Sequence, residues 1–329
     1  VIAAPYFEDL AVGMVVDDAP AMTLSSGHAA LHQALLGDRL RLPLDAELSR
    51  EVTGSGSALA HPGLVWDVAI GQSTLLTQRV VANLFYRGLV LYRAPVIGDT
   101  LRTSVEVVAL RQNRPRPHRQ STGLAALHIR TGDQEGRRVL DFWRCAMLPL
   151  RDPGAQTGHA DDLDRIGAGD PPPLAGAIEG WDLGAFGRLV SGTRFEGLEA
   201  GQSWEVVGGD VVSAAPELAR LSLNIAFAHH DRTASADGRR LVYGGHAIGL
   251  VCSQISRTLP NLVTILGWHS CDHLGPVHEG DTLRTTLELE RTEPLPGGGG
   301  ILHLHSRTRA VGEGAEAEVL DWRLAAAIA

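Results

Sequence analysis

At 329 residues, 44% hydrophobic and 20% charged, the chain has room for two domains that each bury a core, and its composition is globular rather than disordered. A net charge of −9 argues against a nucleic-acid partner, which needs a basic face. All 29 basic residues are arginine; the lack of lysine excludes Schiff-base chemistry, a phosphate-loop lysine and a Tyr/Lys reductase pair. Any anionic ligand must therefore be met by guanidinium forks or backbone amides. No apolar run reaches the roughly 18 residues of a membrane span, and Val1-Ile2-Ala3-Ala4 is too short, with no basic start, for a leader to be expected. Cys145, Cys252 and Cys271 are too few for a disulfide framework and lack metal-type spacing, so reduced thiols in a cytoplasmic protein are expected.

In chain order, a strand over Asp9 to Ala19 leads into a helix over Ser26 to Leu36 and then irregular polar chain. A helix over Pro62 to Leu76 follows, with proline where the first amide has no intrahelical partner to lose. Leu64, Val65, Val68, Ala69 and Ile70 make it apolar on most faces, so other structure must wrap it. Extended chain follows, including Leu124 to Arg130 and the closing Val139-Leu140-Asp141. From Arg151 to Gly192, Asp152-Pro153-Gly154, Pro171-Pro172-Pro173 and many glycines read as a linker. The order then repeats: a strand over Gly201 to Val207, a helix over Pro216 to Ala226, and an apolar helix over Gly245 to Arg257 with Ile248, Leu250, Val251 and Ile255. In the next stretch Leu283, Thr285, Leu287 and Leu289 alternate with Arg284, Thr286, Glu288 and Glu290, the pattern of a half-buried antiparallel strand. Ile301 to Arg309 continues it, and Val319-Leu320-Asp321 closes it.

The repetition is literal in places. Gly-Asp-Thr-Leu-Arg-Thr occurs at Gly98–Thr103 and again at Gly280–Thr285, 182 positions on. Gly63 maps onto Gly245 at the same offset, Val-Leu-Asp recurs at 180, and Phe7-Glu8 recurs as Phe195-Glu196 at 188. Near-constant offsets over this length mark a duplicated domain rather than a solenoid. One central helix wrapped by a curved antiparallel sheet, made twice, is an α+β double hotdog. The expected units are residues 1–150, a linker at 151–192, and 193–329.

The segments Leu59-Ala-His-Pro-Gly-Leu, Asn83-Leu84, Gly98-Asp-Thr-Leu, Leu110-Arg-Gln-Asn and Leu241-Val-Tyr-Gly-Gly-His resemble the MaoC-type double-hotdog hydratases, most of all their mesaconyl-CoA hydratase (β-methylmalyl-CoA dehydratase) branch. The likeness runs from about Phe7 to Arg323, the linker excepted. It implies an acyl-CoA substrate, reversible syn addition of water across its α,β double bond, and no cofactor beyond the CoA of the substrate. The family's motif places a His five residues after an Asp. Here Gly37-Asp38 is followed at that distance by Pro43, while His229 has Asn224 where the Asp should stand.

Hydration needs a base for the attacking water, a proton for the α carbon, and stabilisation of charge on the thioester oxygen. His229 suits the first two, since an imidazole titrates near neutrality. Asn224 can hold a water, and Asp38 could supply a missing acid in a composite site if the halves bring the loops together. Amides opening the second apolar helix, at Gly244, Gly245 and His246, suit the third. Blander readings stand beside these: His229-His230-Asp231 as a solvated helix end before the polar run Arg232 to Arg240, and Gly244-Gly245 as a tight turn. His61 reads as a polar plug at the first helix. Trp66, Trp143 and Trp268 are core or acyl-pocket walls.

For the CoA phosphates the candidates are Arg111, Asn113 and Arg114, in a loop stiffened by Pro115 and Pro117, and Arg239-Arg240; ordinary solvated arginine is the alternative for each. His269, Asp272, His273 and His278 with Cys271 are not expected to bind metal, because their spacing suits a helix and Gly275-Pro276 marks a turn. A hotdog thioesterase, using Asp67 or Asp38, and a non-catalytic acyl-CoA-binding protein are the other functions this sequence admits. No nucleic acid or membrane partner is expected, and a homo-oligomer is allowed.

Overall fold

The computed structural model describes residues 4–169, 173–234, 238–312 and 315–329. The first repeat opens with β1 (Val15–Val16) and β2 (Met22–Thr23), then α1 (Ser26–Leu36), α2 (Arg41–Leu44), α3 (Ala46–Thr53) and α4 (Pro62–Gln72). Strands β3 (Ala82–Leu91), β4 (Thr100–Gln112), β5 (Thr122–Gly132) and β6 (Arg138–Pro149) complete it. After α5 (Leu183–Leu189) the second repeat runs through β7 (Ser203–Glu205), β8 (Asp210–Val211), α6 (Ala215–Leu221) and α7 (Gly244–Thr258). It ends in β9 (Leu262–His273), β10 (Thr282–Pro294), β11 (Gly300–Gly312) and β12 (Ala315–Ile328).

Among the described residues the strands form a single antiparallel sheet with the order β1-β4-β5-β6-β3-β9-β12-β11-β10-β7; β2 also pairs with β4 and β8 with β10. That order is nearly palindromic about the β3–β9 seam, where Tyr86 faces Cys271 and Leu89 faces Trp268. Arg87 and Asp272 tie the seam with an ion pair of 2.6 Å. Each repeat lays its apolar helix on this sheet. Every residue of α4 is buried, as are Gly245 to Ser256 of α7.

Repeated residues do repeated work. Gly98 and Gly280 adopt φ of 109° and 93°, a region glycine enters without a Cβ clash. The following Asp99 and Asp281 carboxylates accept from the amides of Val96 and His278, at 3.0 and 2.8 Å. Thr103 meets Thr131, and Thr285 meets Thr308, across a strand pair at 2.8 and 2.9 Å. Phe7 and Phe195, the repeated aromatics, lie over Gly123 and Gly300, where any Cβ would enter the ring.

Four expectations change in detail. The leading strands, expected over Asp9 to Ala19 and Gly201 to Val207, shrink to Val15–Val16 and Ser203–Glu205. The end of the first apolar helix, Ser73–Leu76, is a 3-10 turn, because the Ser73 and Thr74 hydroxyls donate back to the carbonyls of Ile70 and Gly71. The helix expected to Ala226 stops at Leu221. Gly71 of α4 presses so closely on the Ser222 carbonyl that a Cβ there would sit 1.7 Å from it, and Leu223 turns left-handed with φ of 62°. The glycine-rich segment between the repeats is not bare chain: it forms a 3-10 turn over Leu174–Ile178 and α5, and it buries Leu163, Ile178 and Phe186. Asp170, Pro171 and Pro172 of that segment lie outside the described residues, as do Ser235, Ala236 and Asp237 of the polar run before α7. We propose 1–150 and 193–329 as the two units, with 151–192 as a strap between them.

Candidate functional site

A cavity of about 300 Å³ opens between the repeats, and both build it. The first contributes Ile70 of α4, Thr74 and Thr77 from the 3-10 turn after it and its C-terminal cap, Val80 to Leu84, Tyr86 and Arg144. The second contributes Asn224, Ala226, His229, Leu241 to Gly244, Ala247 and His273 to Val277. The loop that carries Asn224 and His229 is held by the first repeat: the Ile225 amide donates to Thr74 Oγ1 at 3.0 Å, and the Phe227 amide to the Gln78 carbonyl at 2.8 Å.

His229 sits at the end of a 3-10 turn, Phe227–His229. Its Nδ1 lies 2.9 Å from the Leu241 carbonyl. A carbonyl only accepts, so Nδ1 carries the proton and the neutral ring keeps its lone pair on Nε2. Burial pushes its pKa down to about 4, so the ring is an unprotonated base at neutral pH. Asn224 Oδ1 accepts from the Ala226 amide at 2.9 Å. The side chain therefore offers a ligand its two Nδ2 donors rather than an acceptor.

Gly244 opens α7 at the cavity wall, and the first amides of a helix have no intrahelical partners. A Cβ on Gly244 would lie 2.7 Å from the His273 ring. The space a side chain at Gly245 would need is taken by Asp67 Oδ1 and the Tyr243 ring, so this glycine serves the packing of the helix start rather than approach of a ligand. Tyr243, the residue before α7, donates to Asp67 Oδ1 at 3.0 Å, and His32 Nε2 lies 3.1 Å from Asp67 Oδ2. That chain of contacts ties the start of α7 to α4 and α1.

The remaining candidates lie elsewhere. His246 is fully buried away from the cavity, and neither of its nitrogens has a hydrogen-bond partner; burial holds its pKa at about 4, so it is a neutral core ring and not a substrate ligand. Asp38 does not reach the cavity, and the composite site does not form. Its Oδ1 accepts from the Leu40 amide at 2.7 Å and lies 3.0 Å from His61 Nε2. His61 Nδ1 in turn accepts from the Gly63 amide at 2.9 Å, which leaves the ring proton on the Nε2 facing Asp38. Pro43, at the duplicated place of His229, lies in α2. Asp38, His61 and Cys252 form the one grouping of potential metal ligands among the described residues, their ligand atoms within 4.8 Å of one another. Burial raises the pKa of the Cys252 thiol, and Asp38 raises it further, so the thiol stays protonated and the trio reads as a buried polar plug. Asp38→Asn should therefore leave turnover within about threefold while lowering the melting temperature, as the loss of a charge-assisted hydrogen bond does; a collapse of turnover in a folded variant would restore Asp38 to the site.

Trp66 and Trp268 pack with Trp322 in the core, and Trp143 stacks on His128, so the tryptophans are not cavity walls. His269 pairs with His303, Asp272 with Arg87, and the His278 amide with Asp281, so the second histidine group does not converge. Its member His273 faces the cavity instead. Arg111 lies near the end of β4 and Asn113 just past it, with Asn113 Nδ2 donating to Thr122 at 2.9 Å, and Arg114 is exposed. Arg239 is exposed, and Arg240 is ion-paired with Glu279. Neither pair lines the cavity.

Sequence reasoning missed Arg144, Tyr86, His273 and Thr77. The signal was present for one of them: Arg144 falls where the other repeat, aligned on Val-Leu-Asp, has Leu324. A charge that replaces an apolar residue at a core strand position stands out when the two repeats are aligned.

No protein-family model matches the chain. A mesaconyl-CoA hydratase from Cereibacter sphaeroides is 29% identical over 316 residues, 92% of this chain and 88% of the relative. A structure described as a MaoC domain protein dehydratase, from Chloroflexus aurantiacus, superposes with a TM-score of 0.85 at 26% identity, over 99% of this chain and 97% of that one. A conserved hypothetical protein from Mycobacterium tuberculosis, described as essential for bacterial survival during infection and as having a double hotdog fold, matches at 53% identity and a TM-score of 0.93 over 98% of both chains. Identity of that order along the whole length, on a frame that the MaoC dehydratase shares, leaves one conclusion: the chain belongs to the MaoC-like double-hotdog family.

Proposed function

We propose that this chain is a hydro-lyase that adds water reversibly across the α,β double bond of a short acyl-CoA, of the kind the mesaconyl-CoA hydratase relative is named for. The observation that carries the reading is His229, with its Nδ1 proton fixed on Leu241 and its basic nitrogen left to a cavity that also holds Asn224 and the start of α7. A water held by Asn224 Nδ2 gives a proton to His229 Nε2 as its oxygen bonds to the β carbon. The double-bond electrons move through the α carbon to the thioester oxygen, which the amide of Gly244, opening α7 at the cavity wall, stabilises. The imidazolium then returns the proton to the α carbon on the same face, and dehydration is the reverse. Protein groups suffice for every step, so no cofactor is invoked.

A thioesterase would need a carboxylate at the cavity. Asp38 and Asp67 are both engaged elsewhere, and no acid lines the cavity among the described residues. Mixing the protein with mesaconyl-CoA or crotonyl-CoA separates the readings. Loss of the conjugated-thioester absorbance without free thiol is the expected result; loss with free thiol means hydrolysis, and no change leaves a binding protein.

We place the CoA tail along the β4–β5 hairpin. Met147 pairs with both Leu124 of β5 and Ala82 of β3, which puts Arg111, Asn113 and Arg114 at the same end of the sheet as the cavity residues Val80 to Leu84. Arg240 is already balanced by Glu279. Arg111→Glu or Arg114→Glu should weaken CoA-ester binding by ~10-fold at low salt, and raising salt should mimic the loss, because exposed charges are screened over ~10 Å at 0.1 M. An equal loss from Arg240→Glu, or no salt effect, would move the tail elsewhere. We assign the protein to the cytoplasm on its three unpaired, buried cysteines. No helix among the described residues is long and apolar enough to cross a membrane.

A further inference from the structure

Arg144 stands on β6 with 3% of its surface exposed, facing the cavity. One terminal nitrogen donates to the Ser73 carbonyl at 3.1 Å and to Thr77 Oγ1 at 2.7 Å, which fixes the side chain. The other reaches Asn83 Oδ1 only at 3.5 Å, and Nε has no partner. Among the described residues no carboxylate pairs with it; its pKa is lowered by burial, and the neighbouring phenols Tyr86 and Tyr243 offset that only in part. A buried cation without a counterion is costly, and the fold does not require it. At the equivalent position of the other repeat stands Leu324, and the cross-strand pair Tyr86–Arg144 is there Trp268–Leu324. One repeat filled this position with apolar packing, while the other kept a guanidinium beside a phenol.

We propose that Arg144 is the receptor for a free carboxylate on the acyl group, so that the site selects carboxylated enoyl thioesters over uncharged ones of the same length. The inference rests on the acyl-CoA reading above. A planar guanidinium with an open Nε–H presents a fork that a carboxylate fills with two parallel hydrogen bonds. Tyr86, whose pKa burial raises far above neutrality, stays a neutral donor beside it. The walls around them are largely apolar, with Ile70, Val80, Leu84 and Ala247 close by, which suits a short branched chain between the thioester and that carboxylate. The diphosphate of CoA is excluded as the partner, because a thioester seated at Gly244 leaves its long tail to exit the cavity.

Binding of saturated thioesters tests this apart from catalysis, since they cannot be hydrated. Succinyl-CoA and butyryl-CoA, titrated calorimetrically into the wild-type protein, should differ by ~10²-fold in affinity in favour of succinyl-CoA, as for an ion pair met in a desolvated pocket. Arg144→Met should erase that preference and leave butyryl-CoA binding within about threefold, whereas Arg144→Lys should restore part of it. A purely structural arginine would lower both affinities together. Equal wild-type affinities for the two esters would overturn the proposal even if the variants fail to fold. Failure to hydrate any enoyl-CoA, with the succinyl preference intact, would instead remove the hydratase reading and keep the receptor.

Discussion

His229→Ala should lower hydration of an enoyl-CoA by at least ~10²-fold, the low end for removing a general acid–base group. The reason is specific to its surroundings. Its Nδ1 proton is committed to Leu241, so Nε2 is the only nitrogen able to take a proton from water. Of the other cavity groups, His273 is set against Gly244 with no carbonyl fixing its tautomer among the described contacts, and Arg144 is a donor without a lone pair. Because burial holds the His229 pKa at about 4, its protonation should not limit hydration between pH 6 and 8 and should do so only as pH approaches about 4. Binding of saturated acyl-CoA and the melting temperature at pH 7.5 should persist in the variant. An unchanged rate in a folded His229→Ala protein would move the chemistry to another residue.

The protein should lose stability steeply as the solution is acidified from pH 6.5 toward 4. His229 and His246 are buried and held at about 4 in the fold, against about 6.5 for a free imidazole. Above 6.5 both are neutral in the folded and unfolded chains alike. Between 6.5 and 4 the unfolded chain binds their protons and the native chain does not, so falling pH favours unfolding. At roughly 1.4 kcal/mol per pH unit for each proton, the two together remove on the order of 5–10 kcal/mol by pH 4. That rivals the whole stability of an ordinary domain. Urea midpoints taken from pH 7.5 to 4.5 should fall accordingly. His246→Leu should flatten the fall, because neither ring nitrogen of His246 has a partner to lose. A midpoint indifferent to pH over that range would show that these rings are not held neutral by the fold.

Much of the architecture could be read before any coordinates, because duplication converts weak local signals into paired ones. A Gly-Asp-Thr turn is common, but the same turn at the same offset from an apolar helix, a phenylalanine and a Val-Leu-Asp strand fixes two equivalent folds. Helix boundaries were legible where side chains cap the chain, as at Ser25 and Pro62. They were not legible at Leu221, where the stop comes from Gly71 of the other repeat, 151 residues from Ser222 in sequence. His229 and Asn224 could be named from the motif of the family the sequence resembles, since one loop carries both. The status of Asp38 could not, because it depends on whether two loops from different repeats meet, and the fold sends Asp38 to His61 and Cys252 instead. Arg144 and Tyr86 escaped for a similar reason. Each looks like one more residue on a strand, and only the β3–β6 pairing sets them side by side in a cavity whose opposite wall belongs to the second repeat. Sequence alone determined the two folds and named the loop of Asn224 and His229, since those depend on local pattern, its repetition and the family motif. The tertiary structure decided which residues line the cavity between the repeats and what charge lies in it, because burial and pairing are properties of neighbours distant in the chain.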